Sequence, residues 1–461
     1  MKLNTSHTLA GTDMNFKILV GIVSFCLEFG VLASLSSAAI HDGIPAPRQS
    51  KAIALVDATI HPVSGPAIEK GSIVFENGRI TQILTNSDVG NITTKISLAG
   101  KHIYPGMFEA HSQIGLTEIA SVNATIDSGE LGEINSNVKA QIALNPDSEL
   151  ITVTRAGGVL IAVSAPIGGM VAGKSAVIQM DGWTYEDMTI SARAAMHINW
   201  PRSGGGRRRM PNPEQAAESA KQLQERVAKL RELFDEARAY QKQRAIPEAQ
   251  QPFDLRLEGM QEVIDGTIPI VVRVDKLGDI QAAVAFAVEQ NVRIIILGGY
   301  DAPLCAELLK KHNVPVIVSA VYRLPQRPND PYDHAYTLPK RLLDAGIQFC
   351  ISDTDRSESW NTRNLPFDAG TAVAFGLPED EALKAVTLYP AQIMNVADRV
   401  GSLEPGKDAT LIITSGSPLD TRTLILGAYI QGRPVDLSNK QTRLYEKYSQ
   451  KYLQLKKQSP K

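Results

Sequence analysis

Residues 268–298 read IPIVVRVDKLGDIQAAVAFAVEQNVRIIILG. Two Val/Ile-rich runs, Ile268–Val274 and Val292–Leu297, each carrying a single arginine, bracket an amphipathic segment, Asp279–Gln290. Continuous Val/Ile runs belong to strands covered on both faces, the environment of a parallel sheet. Outward from this unit the alternation continues. Pro303–His312 follows the second run, Val314–Ala320 leads to Leu338–Ala345, and Ile347–Ile351 precedes two more helical segments. Strand starts recur every 22 to 33 residues, the repeat of a βα barrel or a doubly wound sheet. Upstream, Lys101–Tyr104, Gly158–Val163 and Ala176–Met180 are expected to add strands. The fold class is therefore α/β.

The flanks read differently. Ala52–Val56, Ser72–Glu76 and Arg79–Leu84 are short strand-like runs, the last two joined by Glu76-Asn77-Gly78-Arg79. Asn-Gly between apolar runs is a hairpin signal, because a two-residue turn needs φ > 0 at both central residues. A like pattern returns at Ala409–Thr414 and Thr423–Ile430, with Gln431-Gly432 as the turn. Residues 50–104 and 401–440 are thus expected to form one small β domain around a block spanning 105–400. Two segments interrupt that block. Residues 203–209 (SGGGRRR) read as a solvated basic turn, with phosphate binding as the alternative. Pro213–Gln243 reads as a long charged helix, either docked with a polar outer face or closing over a site. Residues 441–461 form a charged tail.

The 461 residues carry 47 Lys+Arg and 49 Asp+Glu, a net charge of −2, which excludes a protein-wide basic surface for nucleic acid or anionic lipid. With 43% hydrophobic and 21% charged residues, disordered and fibrous classes are excluded too. Residues 14–39 read as a secretory signal: Lys17, an apolar run Ile18–Leu27, and small residues Ser36-Ser37-Ala38-Ala39 for cleavage. Met14 is then the natural start. The competing reading, an uncleaved anchor, is opposed by Glu28 within the apolar stretch. Export to the periplasm or outside is expected, with no membrane span after cleavage. Cleavage removes Cys26 and leaves Cys305 and Cys350 as core residues, too few for a disulfide framework.

Barrel chemistry sits where strands end. In Tyr104-Pro105-Gly106-Met107-Phe108-Glu109-Ala110-His111-Ser112-Gln113, the residues Glu109, His111 and Gln113 alternate onto one face. The Ile270 run ends with Arg273 and Asp275, an ion pair or a clamp for a substrate carboxylate. The Val292 run ends in Gly298-Gly299, offering backbone only. The Ile347 run ends in Ser352-Asp353-Thr354-Asp355, where a carboxylate can act as general base, ligate a metal or cap the next helix.

Three stretches together resemble the amidohydrolase superfamily, in its imidazolonepropionase-like, exported branch. Pro105-Gly106-x-x-Glu109-x-His111 is similar to that family's Pro-Gly-x-Ile-Asp-x-His-x-His strand. Residues 402–411 (SLEPGKDATL) look like its return to the β domain, and Leu388–Met394 like the preceding helix. The resemblance spans roughly Lys51 to Asp436. It implies a (β/α)8 TIM-type barrel, a small β-sandwich from both chain ends, and metal-assisted hydrolysis of C–N bonds other than peptide bonds. In such enzymes a metal activates water while the last-strand aspartate assists proton transfer.

The ligand positions depart from that pattern. His111 and Asp353 match the family's first histidine and its aspartate. Gln113 stands at the second histidine, Arg273 at the histidine ending the fifth strand, and Gly298 at the one ending the sixth. Gln179 lies near where a bridging lysine would be sought. Two ligands fall short of the three that a catalytic zinc takes, and Arg273 would repel a cation. The cofactor expectation is therefore a divalent metal, zinc or similar, or none. Arg273 is expected to take the metal's electrostatic place, paired with Asp353 or Asp275. Asp353 is the expected catalytic base; Gln113, Arg273 and Asp275 are the expected contacts for a small-molecule substrate. The alternative is a non-catalytic binding protein, or a regulatory subunit pairing with an intact paralogue or with itself.

Overall fold

The computed structural model describes residues 44–201, 213–246, 252–319, 321–353 and 359–458. The expected signal segment 14–39, the basic loop 203–209, and Thr354 and Asp355 lie outside them.

The chain begins with five strands of one sheet: β1 (Ile53–Ile60), β2 (Ile68–Glu76), β3 (Arg79–Leu84), β4 (Thr94–Ser97) and β5 (His102–Pro105). The β2–β3 turn has Asn77 at φ 52 and Gly78 at φ 79, the left-handed pair that the Asn-Gly signal requires. In β1, Asp57 at φ 64 marks a bulge that divides the strand. Its first half pairs with β4 and its second half with β5, both parallel.

At Gly106 the chain leaves this sheet for the barrel. A Cβ there would meet Leu160 side-chain atoms at 2.8 Å, so only glycine lets the two modules lie this close. The barrel strands are β6 (Met107–Ser112), β7 (Val159–Ser164), β8 (Val171–Gln179), β9 (Thr189–Ile198), β10 (Ile270–Val274), β11 (Ile294–Gly298), β12 (Val316–Ser319) and β13 (Phe349–Ser352), paired in sequence order. The run expected at Ala176–Met180 is the later part of β8, and β8 is antiparallel to both neighbours. The other five strand pairs are parallel. Hence the eight-stranded α/β barrel carries one reversed strand, reached from β7 by a short connection instead of a crossover helix. Helices cover its outside. Leu277–Glu289, for instance, buries Ile280, Ala283, Val284, Phe286 and Ala287, each worth up to about 1.5–3 kcal/mol for the larger side chains.

The chain then returns to the first sheet with β14 (Leu411–Thr414), β15 (Ile425–Ile430) and β16 (Arg433–Pro434). β14 pairs with β5 in register from Leu411↔Pro105 to Thr414↔His102. Both chain ends thus build one branched eight-stranded sheet with its own core of Leu55, Ile73, Phe75, Ile103, Leu411 and Tyr429. The long helix, Pro213–Arg244, buries Leu230, Leu233, Phe234 and Ala237 against the barrel wall; Phe234 meets Phe286 edge-on at 5.3 Å and Arg231 pairs with Glu289 at 2.9 Å. It is docked, not a lid. Cys305 and Cys350 are buried free thiols.

Candidate active site

β6 and β13 are the two ends of the barrel's hydrogen-bonded path. A carboxyl group spans the seam between them. Glu109 on β6, wholly buried, accepts hydrogen bonds from the His111 N–H (3.0 Å) and, across the seam, from the Asp353 N–H (3.0 Å) and the Ser352 hydroxyl. Burial pushes this carboxyl up to about 8, the nearby Asp353 charge adds to the rise, and the three hydrogen bonds oppose it.

A second buried acid stands beside it. Asp368, on the helix Leu365–Ala374 that follows β13, is pushed up to about 7 by burial and then by the charge of Glu109. The Asp353 carboxyl and the N–H groups of Tyr322 and Val321 approach it and oppose the rise, but neither Asp368 oxygen has a partner at hydrogen-bond geometry among the described residues. Three carboxyls, those of Glu109, Asp353 and Asp368, therefore cluster at one strand end. Like charges this close, out of water, cannot all ionise near neutral pH, so the cluster retains a proton.

Two buried imidazoles lie within the influence of a guanidinium. His111 on β6 and His197 on β9 have ring centroids 5.3 Å apart. Both are buried and held well below the ordinary histidine range, mainly by burial, then by Arg273 on β10 for His111, and by His111 followed by Arg273 for His197. Both are therefore neutral at physiological pH. His197 Nε2 and Gln113 Nε2 are buried and have no hydrogen-bond partner among the described residues.

Several expectations are corrected. Asp275 does not pair with Arg273. Its ion-pair partner is Arg323 at 2.9 Å, and Gln326 Nε2 adds a bond at 3.1 Å. The reason is the loop after β12, which brings Arg323 over Tyr300 (5.2 Å to the ring) and into reach of Asp275. Gln179 is not at the site: it bonds to the Asp181 and Asp187 carbonyls, at the barrel end opposite the strand-end acids, because β8 runs backwards. Gly298 could not be a histidine in this barrel. Its φ is 110, and a Cβ would lie 2.7 Å from Asp275 Oδ1 and 2.9 Å from the Val274 carbonyl. His111, Arg273 and Asp353 do converge, joined by Glu109, His197 and Asp368. His197 closes the apolar run Ala194–Ile198, a strand signal that precedes the basic loop. Asp368 is a lone acid inside the otherwise apolar helix LPFDAGTAVA.

Among the described residues, no three His, Cys, Asp or Glu side chains are placed to hold a metal ion. The charge of Arg273 acts on both imidazoles and opposes a cation bound beside them.

An eight-stranded α/β barrel with a two-ended β module places its buried acids and histidines at the strand ends, where barrel enzymes carry their active sites. Residues 222–442 match the model of the amidohydrolase family, and the chain carries an amidohydrolase-family domain. The amidohydrolase tasK of Hapsidospora irregularis is 22% identical over 406 residues, covering 81% of this chain and 41% of tasK. The imidazolonepropionase of Micrococcus luteus is 39% identical over 97 residues, covering 21% of this chain and 23% of that enzyme. The matches thus span less than half the length of either relative. A crystal structure of an amidohydrolase from Thermotoga maritima MSB8 superposes with a TM-score of 0.73 at 24% identity, over 83% of this chain and 99% of the other, a likeness of fold.

Proposed function

We propose that this protein hydrolyses C–N bonds, other than peptide bonds, in a small-molecule substrate, using acid–base chemistry of its strand-end carboxyls and the charge of Arg273. The observation that carries this reading is the buried group of carboxyls Glu109, Asp353 and Asp368 at the strand ends, with Glu109 bonded to the backbone N–H of His111, whose ring lies 5.3 Å from that of His197. An unpaired buried polar atom costs about 1–3 kcal/mol, so the nitrogens of Gln113 and His197, without partners among the described residues, favour a ligand that satisfies them.

In this reading Asp353 takes a proton from the attacking water. Glu109 is a positioning residue, fixing Asp353 through its backbone N–H and through Ser352. The proton held by the cluster is delivered to the departing nitrogen through Asp353, with Asp368 as the reservoir. Arg273 and Gln113 Nε2 stabilise the oxyanion of the tetrahedral intermediate. Export through the 14–39 signal belongs to the same proposal, supported by its charged, apolar and small-residue regions; cell fractionation tests it. Among the described residues, no helix is long and apolar enough to cross a membrane.

The test is turnover of a panel of lactams, cyclic ureides and N-acyl amino acids by the wild type and by Asp353→Asn. One panel class is expected to be hydrolysed, with kcat/KM falling about 10²–10⁴-fold in the variant, the usual weight of a general base. Binding of panel members without turnover from pH 5 to 9 would replace hydrolysis by a binding function.

A further inference from the structure

A second group of histidines lies on the β module and shares no residue with the barrel site. His61 follows β1 and His102 opens β5, on neighbouring parallel strands where the His61 N–H bonds the Ile103 carbonyl at 2.9 Å. Their side chains meet: His61 Nε2 and His102 Nδ1 are 3.1 Å apart. Tyr104, two residues along β5, stacks on His61 with centroids 4.1 Å apart and planes 7° from parallel, which fixes the His61 ring. The two imidazoles are half-buried, and His61 opens onto a cleft of about 350 Å³ lined also by Ser64, Gly65, Asp380 and Lys384.

We propose that His61 and His102 form a two-histidine chelating site for a divalent transition-metal ion of the zinc or copper type. With metal–nitrogen bonds of about 2.0–2.1 Å, nitrogens at this separation subtend about 98° at a shared ion. That angle lies between the square-planar and tetrahedral values, so an ion can take the place of the N···N hydrogen bond once both rings reorient toward it. The charges around the site favour a cation. Glu379 acts on both His61 and Tyr104, and Asp380 lines the cleft. Lys384 is already engaged by Glu381 at 2.7 Å and Asp380 at 3.6 Å. Water completes the coordination. A bound ion would pin β1 to β5, the strand that also pairs with β14 from the other chain end.

Calorimetric titration of the full protein with zinc chloride tests this, against His61→Gln, His102→Gln and His111→Ala. One equivalent is expected to bind the wild type and His111→Ala, with affinity at least tenfold weaker in each of the other two. Unchanged binding in both His61→Gln and His102→Gln, or no binding to the wild type, overturns the site. Electron paramagnetic resonance of the wild type loaded with one equivalent of cupric ion is independent of variant folding. Hyperfine structure from two imidazole nitrogens is expected, and an all-oxygen signature contradicts it.

Discussion

Replacing Glu109 by Gln should remove much of the pH dependence of stability from this protein. The carboxyl is wholly buried and lifted from an ordinary value of 4.5 to about 8. In that interval the folded state holds a proton that the unfolded state releases. The stabilisation is therefore complete below pH 4.5 and is lost as pH rises through about 8. At about 1.4 kcal/mol for each pH unit, the interval corresponds to roughly 5 kcal/mol as an upper bound. Glutamine keeps one acceptor oxygen for the His111 or Asp353 N–H and cannot ionise, so the variant loses this term. Alanine is harsher: it strips the acceptor from two backbone N–H groups and the Ser352 hydroxyl, at about 1–3 kcal/mol for each buried donor left unpaired. The assay is urea unfolding at pH 5, 6, 7, 8 and 9. Wild-type midpoints should fall steeply between pH 5 and 9, and those of Glu109→Gln should fall markedly less. Parallel curves for the two proteins would refute the assignment of a protonated Glu109 to the seam.

Other perturbations have equally definite outcomes. Arg155→Met should cost about 3–5 kcal/mol by urea unfolding, because Arg155 and Asp181 are each 5% exposed and only Arg433 at 3.7 Å remains beside the acid. The double variant Arg155→Met/Asp181→Leu should recover most of that loss. Gly298→Ala should destabilise by about 1–3 kcal/mol, the weight of a non-glycine forced to an unfavourable φ, and a crystal structure of it should show Asp275 displaced from Arg323. Asp368→Asn should leave the far-ultraviolet dichroism unchanged and shift the alkaline limb of the kcat profile, since one ionisable member of the carboxyl cluster is gone; an unmoved limb would remove Asp368 from the proton path.

Much of this architecture was legible because its signals are local. The Asn77-Gly78 turn, the Val/Ile-rich runs and the return of β pattern after residue 401 each map onto the structure. The reversed β8 was not legible: an apolar run shows burial, and direction depends on the short link from Ser164 to Val171. At the site, strand-end reasoning named His111, Arg273 and Asp353. It offered Asp275, beside Asp353, as a partner for Arg273 because Asp275 and Arg273 alternate on one strand, whereas Arg323 reaches Asp275 from 48 residues away in sequence. Glu109 was visible as an alternating neighbour of His111, but its bond across the seam joins residues 243 apart. Asp368 and His197 become site residues only through the closure of the barrel.

The central claim is that the barrel mouth works by carboxyl and arginine chemistry without a conventional metal centre. It is tested most directly by turnover and metal content, measured together on the His61→Gln/His102→Gln protein after exhaustive chelation, with elemental mass spectrometry as the readout for metal. Full turnover at far below one metal ion per chain is the expected result. Turnover that vanishes on chelation, returns with one equivalent of zinc and is lost along with that zinc in His111→Ala would contradict it.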